Sequence, residues 1–152
     1  MSEESVSGYN LTPLPATQRE VLARRLTPEQ RRILLAHGTE APFCGGLLEN
    51  KQEGLYACAL CGLPLFSSRD KFESGTGWPS FCRPFHRSHI AYLRDESHGM
   101  IRVEIRCARC DGHLGHVFPD GPMPTRERYC LNSEAMEFFP EGQIPPQNEA
   151  LV

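Results

Sequence analysis

The feature that most constrains this fold is a set of two Cys-x-x-Cys pairs, Cys58 with Cys61 and Cys107 with Cys110. A Gly or an Asp-Gly step follows each pair, which favours the tight turn that points both sulfurs to one side. Four thiolates complete the tetrahedral shell of Zn²⁺ at about 2.3 Å per bond and leave no position for water. The pairs therefore predict one structural zinc ion that joins two hairpins distant in the chain.

A different interpretation treats one pair as a thioredoxin-type redox motif, or all four residues as ordinary buried cysteines. A redox Cys-x-x-Cys is typical of a strand-to-helix junction in a βαβ unit. The sequence has no βαβ rhythm, so structural zinc is the prediction that we prefer.

Composition and charge exclude several classes of protein. The 152 residues suffice for one domain, and the net charge of −3 lacks the basic excess of a nucleic-acid binder. No apolar run approaches the roughly 20 residues of a membrane helix, and residues 1–8 lack the features of a secretion signal. We therefore expect a cytoplasmic monomer with no nucleic-acid or membrane partner. Disulfides are rare there, so the seven cysteines indicate metal binding or thiol chemistry.

Local signals predict helices first and strands afterwards. A short helix is expected over residues 17–25, and Thr27-Pro28-Glu29-Gln30 indicates a capping box before a second helix. That helix is predicted to end at His37-Gly38, with Gly38 left-handed. The clearest strand is Ile101–Arg106, which alternates between apolar and polar residues. Weaker strand candidates are residues 54–58, 90–94, 114–118, 128–132 and 136–139. Helices followed by strands indicate an α+β fold, mainly β, with an antiparallel sheet.

The sequence predicts one domain with a flexible segment at each end. Residues 1–16 form a flexible N-terminal arm, since Pro13 and Pro15 interrupt any helix. Residues 17–140 form a single catalytic zinc-binding domain. Residues 141–152 form a flexible tail next to Pro140.

Three cysteines remain outside the pairs, namely Cys44, Cys82 and Cys130. Cys130 lies between Arg128 and Asn132, and alternate residues of a strand share one face. That face would carry a cation, a thiol and an amide donor, an arrangement that stabilises a thiolate nucleophile. The alternative is a buried strand cysteine with surface residues on either side.

His113, His116 and Trp78 are further candidates for a site. The two histidines follow the second Cys-x-x-Cys pair closely, and imidazoles supply proton donors or hydrogen bonds. Trp78 is the only tryptophan and lies among glycines and a proline, which is typical of a shaped loop that presents a ring. The alternatives are inert surface histidines and a ring that fills the core.

Taken together, these motifs resemble the methionine sulfoxide reductases of the B type. The resemblance extends in order over roughly residues 20–140. It rests on both cysteine pairs and on five further segments: Leu26–Gln30, Gly38–Phe43, Ser74–Phe81, His113–Phe118 and Arg128–Ser133.

The resemblance implies a fold and a reaction. The fold is a tent-like pair of antiparallel sheets of short strands, with short N-terminal helices and a structural zinc. The reaction reduces the R epimer of methionine sulfoxide, mainly within proteins, and thioredoxin is the reductant. Cys130 is then the nucleophile and His116 the proton donor. Trp78 holds the substrate methyl group, while the side chains that shape the site are His113, Arg128 and Asn132.

One position departs from the commonest family pattern. Many members carry a second, resolving cysteine where this chain has Thr76. Some members lacking it use a cysteine after the first Pro-Phe, and Cys44 follows Pro42-Phe43 here. The resemblance therefore implies a Cys44–Cys130 disulfide, with Cys82 as the rival.

Two functions of other classes stay open at this point. A non-catalytic zinc module would use Trp78 as an aromatic wall, but it gives Cys130 and its neighbours no role. A general thiol peroxidase would use Cys130 and Cys44, but it needs neither the tryptophan nor the histidine pair.

Overall fold

The computed structural model describes residues 8–143, so parts of the predicted arm and tail, residues 1–7 and 144–152, lie outside the described residues. Among these described residues two helices come first, α1 (Ala16–Ala23) and α2 (Pro28–Leu34). Helix α2 begins with the predicted capping box. The Thr27 hydroxyl accepts from the Gln30 N–H at 3.1 Å, and the Gln30 side chain accepts from the Thr27 N–H at 2.9 Å.

The end of α2 differs from the prediction. The helix ends at Leu34, and His37 rather than Gly38 takes the left-handed conformation, with φ 59°. Gly38 instead donates its N–H to the Arg32 carbonyl at 2.9 Å. A tertiary contact accompanies this difference, since the His37 ring lies 3.1 Å from a carboxylate oxygen of Glu104, and a local sequence pattern contains no information on such a contact.

In the part of the chain that the structure describes, nine strands follow, all paired antiparallel in two sheets. The sheet of three has the order β2-β1-β9, and the sheet of six has the order β3-β4-β8-β7-β6-β5. The strands are β1 (Gly54–Cys58), β2 (Pro64–Ser67), β3 (Lys71–Phe72), β4 (Ser80–Phe81), β5 (Ile90–Asp95), β6 (Arg102–Cys107), β7 (His113–Phe118), β8 (Arg128–Leu131) and β9 (Met136–Pro140).

This architecture confirms the predicted fold class of two antiparallel sheets with short N-terminal helices. The six predicted strands are present, with ends that differ by at most one residue. The three strands that were not predicted, β2, β3 and β4, have only two to four residues each. Such short segments show no alternation that a sequence pattern can detect.

Strand β6 shows the limit of the alternation rule. Its apolar residue Val103 is 40% exposed, whereas Glu104 is only 7% exposed. The predicted polar face is therefore the inner one at this position. Burial of Glu104 is tolerated because it is paired with Arg106 and two histidines, as a buried charge must be.

An aromatic cluster joins the two sheets and fixes the orientation of β8. Tyr56 of the three-stranded sheet contacts Phe81 of the larger sheet at 5.1 Å between ring centroids. Phe66 contacts Phe81 at 4.5 Å and Tyr129 at 5.7 Å. Since Tyr129 of β8 points into this core, the alternate residues Arg128 and Cys130 point to the opposite face.

The described part of the predicted N-terminal arm packs against the domain. Leu11 is buried, and the Leu14 N–H donates to the Arg109 carbonyl at 2.9 Å. Arg109 in turn donates to the Asn10 carbonyl at 3.1 Å. Residues 10–14 therefore contribute to the structure around the second cysteine pair.

Among residues 8–143, neither helix has the length and apolar character needed to span a bilayer.

Candidate active site and metal centre

The two cysteine pairs lie in turns with the same hydrogen-bond pattern. The Gly62 N–H donates to the Cys58 carbonyl at 2.8 Å, and the Asp111 N–H donates to the Cys107 carbonyl at 2.9 Å. Gly62 and Asp111 both have positive φ, 82° and 63°. The glycine and the Asp-Gly step after each pair thus close the turns, as predicted, and both turns point their sulfurs inward.

All four sulfurs converge in the interior. The Sγ atoms of Cys58 and Cys110 are 3.5 Å apart, as are those of Cys61 and Cys107, and all four lie within 4.8 Å of one another. Ligands of a tetrahedral shell with 2.3 Å bonds are separated by about 3.8 Å, whereas a disulfide requires about 2.05 Å. The group therefore fits a four-coordinate metal with sulfur ligands and does not fit disulfides.

Three arginines, two near α1 and one within the second cysteine pair, hold the backbone of these turns. Arg19 of α1 donates to the Cys110 carbonyl at 2.7 Å, and Arg25 donates to the Leu60 carbonyl at 3.0 Å. Arg109 donates to the Cys61 carbonyl at 2.7 Å. The four-cysteine group is thereby fixed by α1 and the residues after it, and Arg109 links its two turns to each other.

Strand register builds the second site, on the opposite face of β8 from the core. Cys130 pairs directly with His116 of β7 on one side and with Ser80 of β4 on the other. Directly opposed residues of antiparallel strands point to the same face. The close approach of β7 and β8 requires Gly115, because a Cβ atom there would collide with the Cys130 carbonyl.

This face of the sheet contains a cavity of about 250 Å³. Five of the residues singled out by the sequence line it together, whereas His113, Cys44 and Cys82 are not among its lining residues. The lining comprises Thr39, Thr76, Trp78, Arg102, Gly115, His116, Phe118, Arg128, Cys130, Leu131 and Asn132.

His116 is oriented by a carboxylate that the sequence did not reveal. Its Nε2 lies 2.8 Å from Oδ2 of Asp95, and Arg102 also contacts that oxygen at 3.2 Å. Hydrogen bonds from Ser97 and from His116 lower the pKa of Asp95 well below its ordinary value. Asp95 is therefore ionised and fixes the His116 ring beside Cys130.

His113 lies outside the lining of the cavity, and a bulge in β7 sets the direction of its side chain. The pairing of β6 with β7 skips Leu114, so that Ile105 opposes Gly115 while Arg106 opposes His113. The extra residue turns His113 towards Glu104, where its Nδ1 lies 2.7 Å from Oε2. Its ring still meets His116 edge-on at 5.7 Å between centroids.

Burial and hydrogen bonds together decide the charges of His113 and Glu104. Burial lowers the pKa of His113 and outweighs the opposing effect of Glu104. Burial also disfavours the charge on Glu104, but hydrogen bonds from Arg106 and His113 prevail and lower its pKa to about 2. At neutral pH the pair is thus a carboxylate and a neutral imidazole, with Arg106 as the compensating charge.

The thiol of Cys130 is held in its protonated form by its surroundings. Burial raises the pKa of Cys130 above its ordinary value, and Glu40 acts in the same direction. The positive charge of Arg128 and a hydrogen bond with Thr76 oppose this effect. Arg128 is itself paired with Asp120 through two contacts of 2.8 and 3.1 Å, which reduces its influence on the thiol.

Comparison with known proteins identifies the family of this chain. Residues 26–140 match the SelR domain family. A peptide methionine sulfoxide reductase MsrB of Caulobacter vibrioides is 60% identical over 142 residues, covering 93% of this chain and 89% of that protein. Relatives of the same name from Xylella fastidiosa and Escherichia coli are 62% and 55% identical. They cover 91% and 78% of this chain, and the alignments span 89% and 87% of those proteins.

The chain belongs to the MsrB family of peptide methionine sulfoxide reductases. This membership confirms the resemblance stated from the motifs, and with it the prediction that the chain is an enzyme.

Glu40 organises the wall of the Cys130 cavity, although the sequence motifs gave it no role beyond its place in the Gly38–Phe43 segment. Its N–H donates to the Asn132 side-chain carbonyl at 2.9 Å, and its carbonyl accepts from the Trp78 indole N–H at 3.0 Å. Its carboxylate accepts from the Glu134 N–H at 3.1 Å. One buried residue thus fixes Trp78 and Asn132 relative to each other.

The two candidate resolving thiols of the reductase have different surroundings. Cys44 is exposed and follows Phe43, whose N–H donates to the Gly77 carbonyl of the Trp78 loop at 2.7 Å. Cys82 is half-buried, and its backbone is bonded on both sides, to the Asp70 carbonyl and to the Thr125 hydroxyl. The Cys44 segment therefore lies against the cavity wall with an exposed thiol, whereas the backbone of Cys82 is fixed directly after β4.

Proposed function

We propose that this enzyme reduces the R epimer of methionine sulfoxide in proteins to methionine, with Cys130 as the nucleophile. The observation that carries the proposal is the direct cross-strand pairing of Cys130 with His116 at the wall of a cavity that also contains Trp78. An apolar ring suits an S-methyl group, and an imidazole beside the thiol suits the sulfoxide oxygen.

In the first step, Cys130 Sγ attacks the sulfoxide sulfur and the oxygen moves to the cysteine. A sulfoxide oxygen leaves poorly until it is protonated, and His116, held by Asp95, is positioned to supply that proton. The thiol proton balances the step, so that a thiol and a sulfoxide give a sulfenic acid and a thioether. The cysteine sulfur loses two electrons and the methionine sulfur gains them.

Trp78, Arg128 and Asn132 are proposed to hold the substrate rather than to react with it. Trp78 is fixed by Glu40, and Asn132 donates its amide to the Leu114 carbonyl at 3.1 Å. When the methyl group of the sulfoxide packs against Trp78 and its oxygen points towards His116, only one of the two epimers has its sulfur facing Cys130. Family membership supports the R epimer as that one.

In the second step, the Cys44 thiol displaces water from the Cys130 sulfenic acid and forms a disulfide, which a thioredoxin dithiol then reduces. The exposed position of Cys44 next to the Trp78 loop supports this role, and the fixed backbone of Cys82 argues against the rival. We also propose that the four-cysteine group binds one structural Zn²⁺. Closed coordination by Cys58, Cys61, Cys107 and Cys110 leaves the ion outside the reaction.

The reaction is tested with peptides that contain the R or the S epimer of methionine sulfoxide, with dithiothreitol as reductant. We expect consumption of the R epimer only. Consumption of peroxide without reduction of either epimer would instead identify a thiol peroxidase, and no turnover at all would indicate a non-catalytic zinc module.

The resolving thiol is tested with two matched variants. Cys44→Ser should release about one methionine per enzyme without reductant and then stall with thioredoxin, since only Cys130 acts in the first step. Dithiothreitol should partly restore turnover, and Cys82→Ser should resemble the wild type. A Cys82–Cys130 disulfide in a mass spectrum of the oxidised protein would overturn the assignment to Cys44.

A further inference from the structure

A second group of potential metal ligands lies apart from the four cysteines. It consists of His37 after α2, Glu104 of β6 and His113 of β7. Nδ1 of His37 lies 3.1 Å from Oε2 of Glu104, and Nδ1 of His113 lies 2.7 Å from the same oxygen. Three separate elements of the fold therefore direct two imidazole nitrogens at one carboxylate oxygen.

That oxygen is crowded by donors. Oε2 of Glu104 also lies 2.9 Å from Nε of Arg106, so three nitrogen atoms contact an oxygen that has two lone pairs. Arg106 has other acceptors, because its remaining nitrogens reach Oε1 of Glu104 and the Asp111 carboxylate. A cation between the two imidazoles would replace two of the three contacts, and Arg106 would keep its own.

The distances fit the coordination shell of a transition metal. With metal–ligand bonds of 2.0 to 2.1 Å, neighbouring ligands at right angles are separated by about 2.9 Å. The two measured separations from Oε2, 2.7 and 3.1 Å, bracket this value. Two histidines and one carboxylate on one side of an ion are a common ligand set for divalent first-row metals.

Access to this group is one-sided. The side chain of His113 is 4% exposed and that of Glu104 is 10% exposed, whereas His37 is 46% exposed. An ion would therefore enter past His37, and its remaining coordination positions would face solvent. His37 also has the left-handed backbone that is uncommon for a residue with a side chain, and such conformations persist where other contacts hold them.

We propose that His37, Glu104 and His113 form a binding site for a divalent first-row transition-metal ion, distinct from the four-cysteine centre. The site is an open three-ligand site, in contrast to the closed shell of four sulfurs. Its ligand chemistry favours ions that accept imidazole and carboxylate together, such as Ni²⁺, Co²⁺, Fe²⁺ or Zn²⁺.

Binding is tested on the zinc-loaded full chain, by equilibrium dialysis with Ni²⁺ followed by metal analysis. We expect one bound Ni²⁺ per chain in addition to zinc. His37→Asn removes one of three protein ligands and retains a residue that tolerates the left-handed backbone. It should weaken binding at least about tenfold, which corresponds to 1.4 kcal/mol.

The matched control is His98→Asn. His98 is also exposed and has φ 56°, close to the 59° of His37, but it lies outside the ligand group. We expect its Ni²⁺ affinity to equal that of the wild type. Absence of a second bound ion, or equal weakening by the two variants, would overturn the proposal.

Co²⁺ provides a second measurement on the same zinc-loaded protein. Bound to two imidazoles and a carboxylate, it should give weak visible absorption that disappears in His37→Asn. Strong sulfur-to-cobalt absorption, unchanged in that variant, would show that the ion binds thiolates, and it would contradict the proposed site. Because both readouts measure binding, they are independent of sulfoxide reduction.

Discussion

The four-cysteine group and the Cys130 cavity surround cysteine side chains with different kinds of contact. Around the four buried sulfurs the contacts come from the backbone, since both turns are closed by their own N–H groups and by arginines on their carbonyls. Around Cys130 the contacts come from side chains, each held by a partner: His116 by Asp95, Arg128 by Asp120 and Trp78 by Glu40.

This difference indicates what a cysteine requires as a metal ligand and what it requires as a nucleophile. A ligand needs its sulfur fixed close to three others, and burial excludes competing water. A nucleophile needs a substrate cavity and neighbouring groups that move protons and charge, so its neighbours must be polar and partly accessible. Loss of a cysteine should therefore affect stability in the first region and activity alone in the second.

The largest expected effect follows from Cys107→Ser. Apparent zinc-binding free energies of about 10–16 kcal/mol match or exceed the 5–15 kcal/mol stability typical of a domain. We expect loss of zinc together with loss of cooperative thermal unfolding, measured by metal analysis and circular dichroism. Cys82→Ser is the matched control and should retain both. A folded, zinc-free Cys107→Ser protein would contradict a structural role for the ion.

Cys130→Ser should remove all methionine formation while zinc content and melting temperature stay close to those of the wild type. The reason is that Sγ of Cys130 faces the cavity and makes no contribution to the four-sulfur group. Single-turnover assays without reductant measure this step. Methionine release by the variant would exclude Cys130 as the nucleophile. Unfolding of the variant would contradict the expectation that loss of Cys130 affects activity alone.

His116→Ala should slow the first step by about 10² to 10⁴, the usual range for loss of a general acid. Asp95→Asn should have a smaller effect in the same direction, because it leaves the imidazole in place but weakens its orientation. Rates measured from pH 5 to 9 locate the protonated group. A His116→Ala rate within twofold of the wild type would assign the proton donor elsewhere.

The smallest expected effect concerns Arg128→Ala. Its positive charge lowers the pKa of the Cys130 thiol, so its removal should raise that pKa and leave less thiolate at neutral pH. The ion pair with Asp120 limits the shift to less than about one pH unit. The rate of Cys130 alkylation against pH measures it, with the exposed Arg126→Ala as control. Faster alkylation of Arg128→Ala at neutral pH would show that Arg128 raises the pKa of Cys130 instead of lowering it.

Local signals in the sequence determined a large part of this protein. The spacing of Cys58, Cys61, Cys107 and Cys110 predicted a group of four sulfurs that could hold a metal ion, because the turn geometry of each pair depends only on adjacent residues. The capping box of α2 and the six predicted strands follow from similar short-range rules. Alternation along β8 also predicted that Arg128 and Cys130 share a face.

Only the tertiary structure determined which partner each charged side chain contacts. The partner of His116 is Asp95, 21 residues away, and the partners of Glu40 lie 38 to 94 residues away. The bulge at Leu114 turns the His113 side chain towards Glu104. The same carboxylate contacts His37, which has the left-handed backbone that was predicted for Gly38. Such pairings depend on strand register, and a shift of one residue would turn every side chain to the other face.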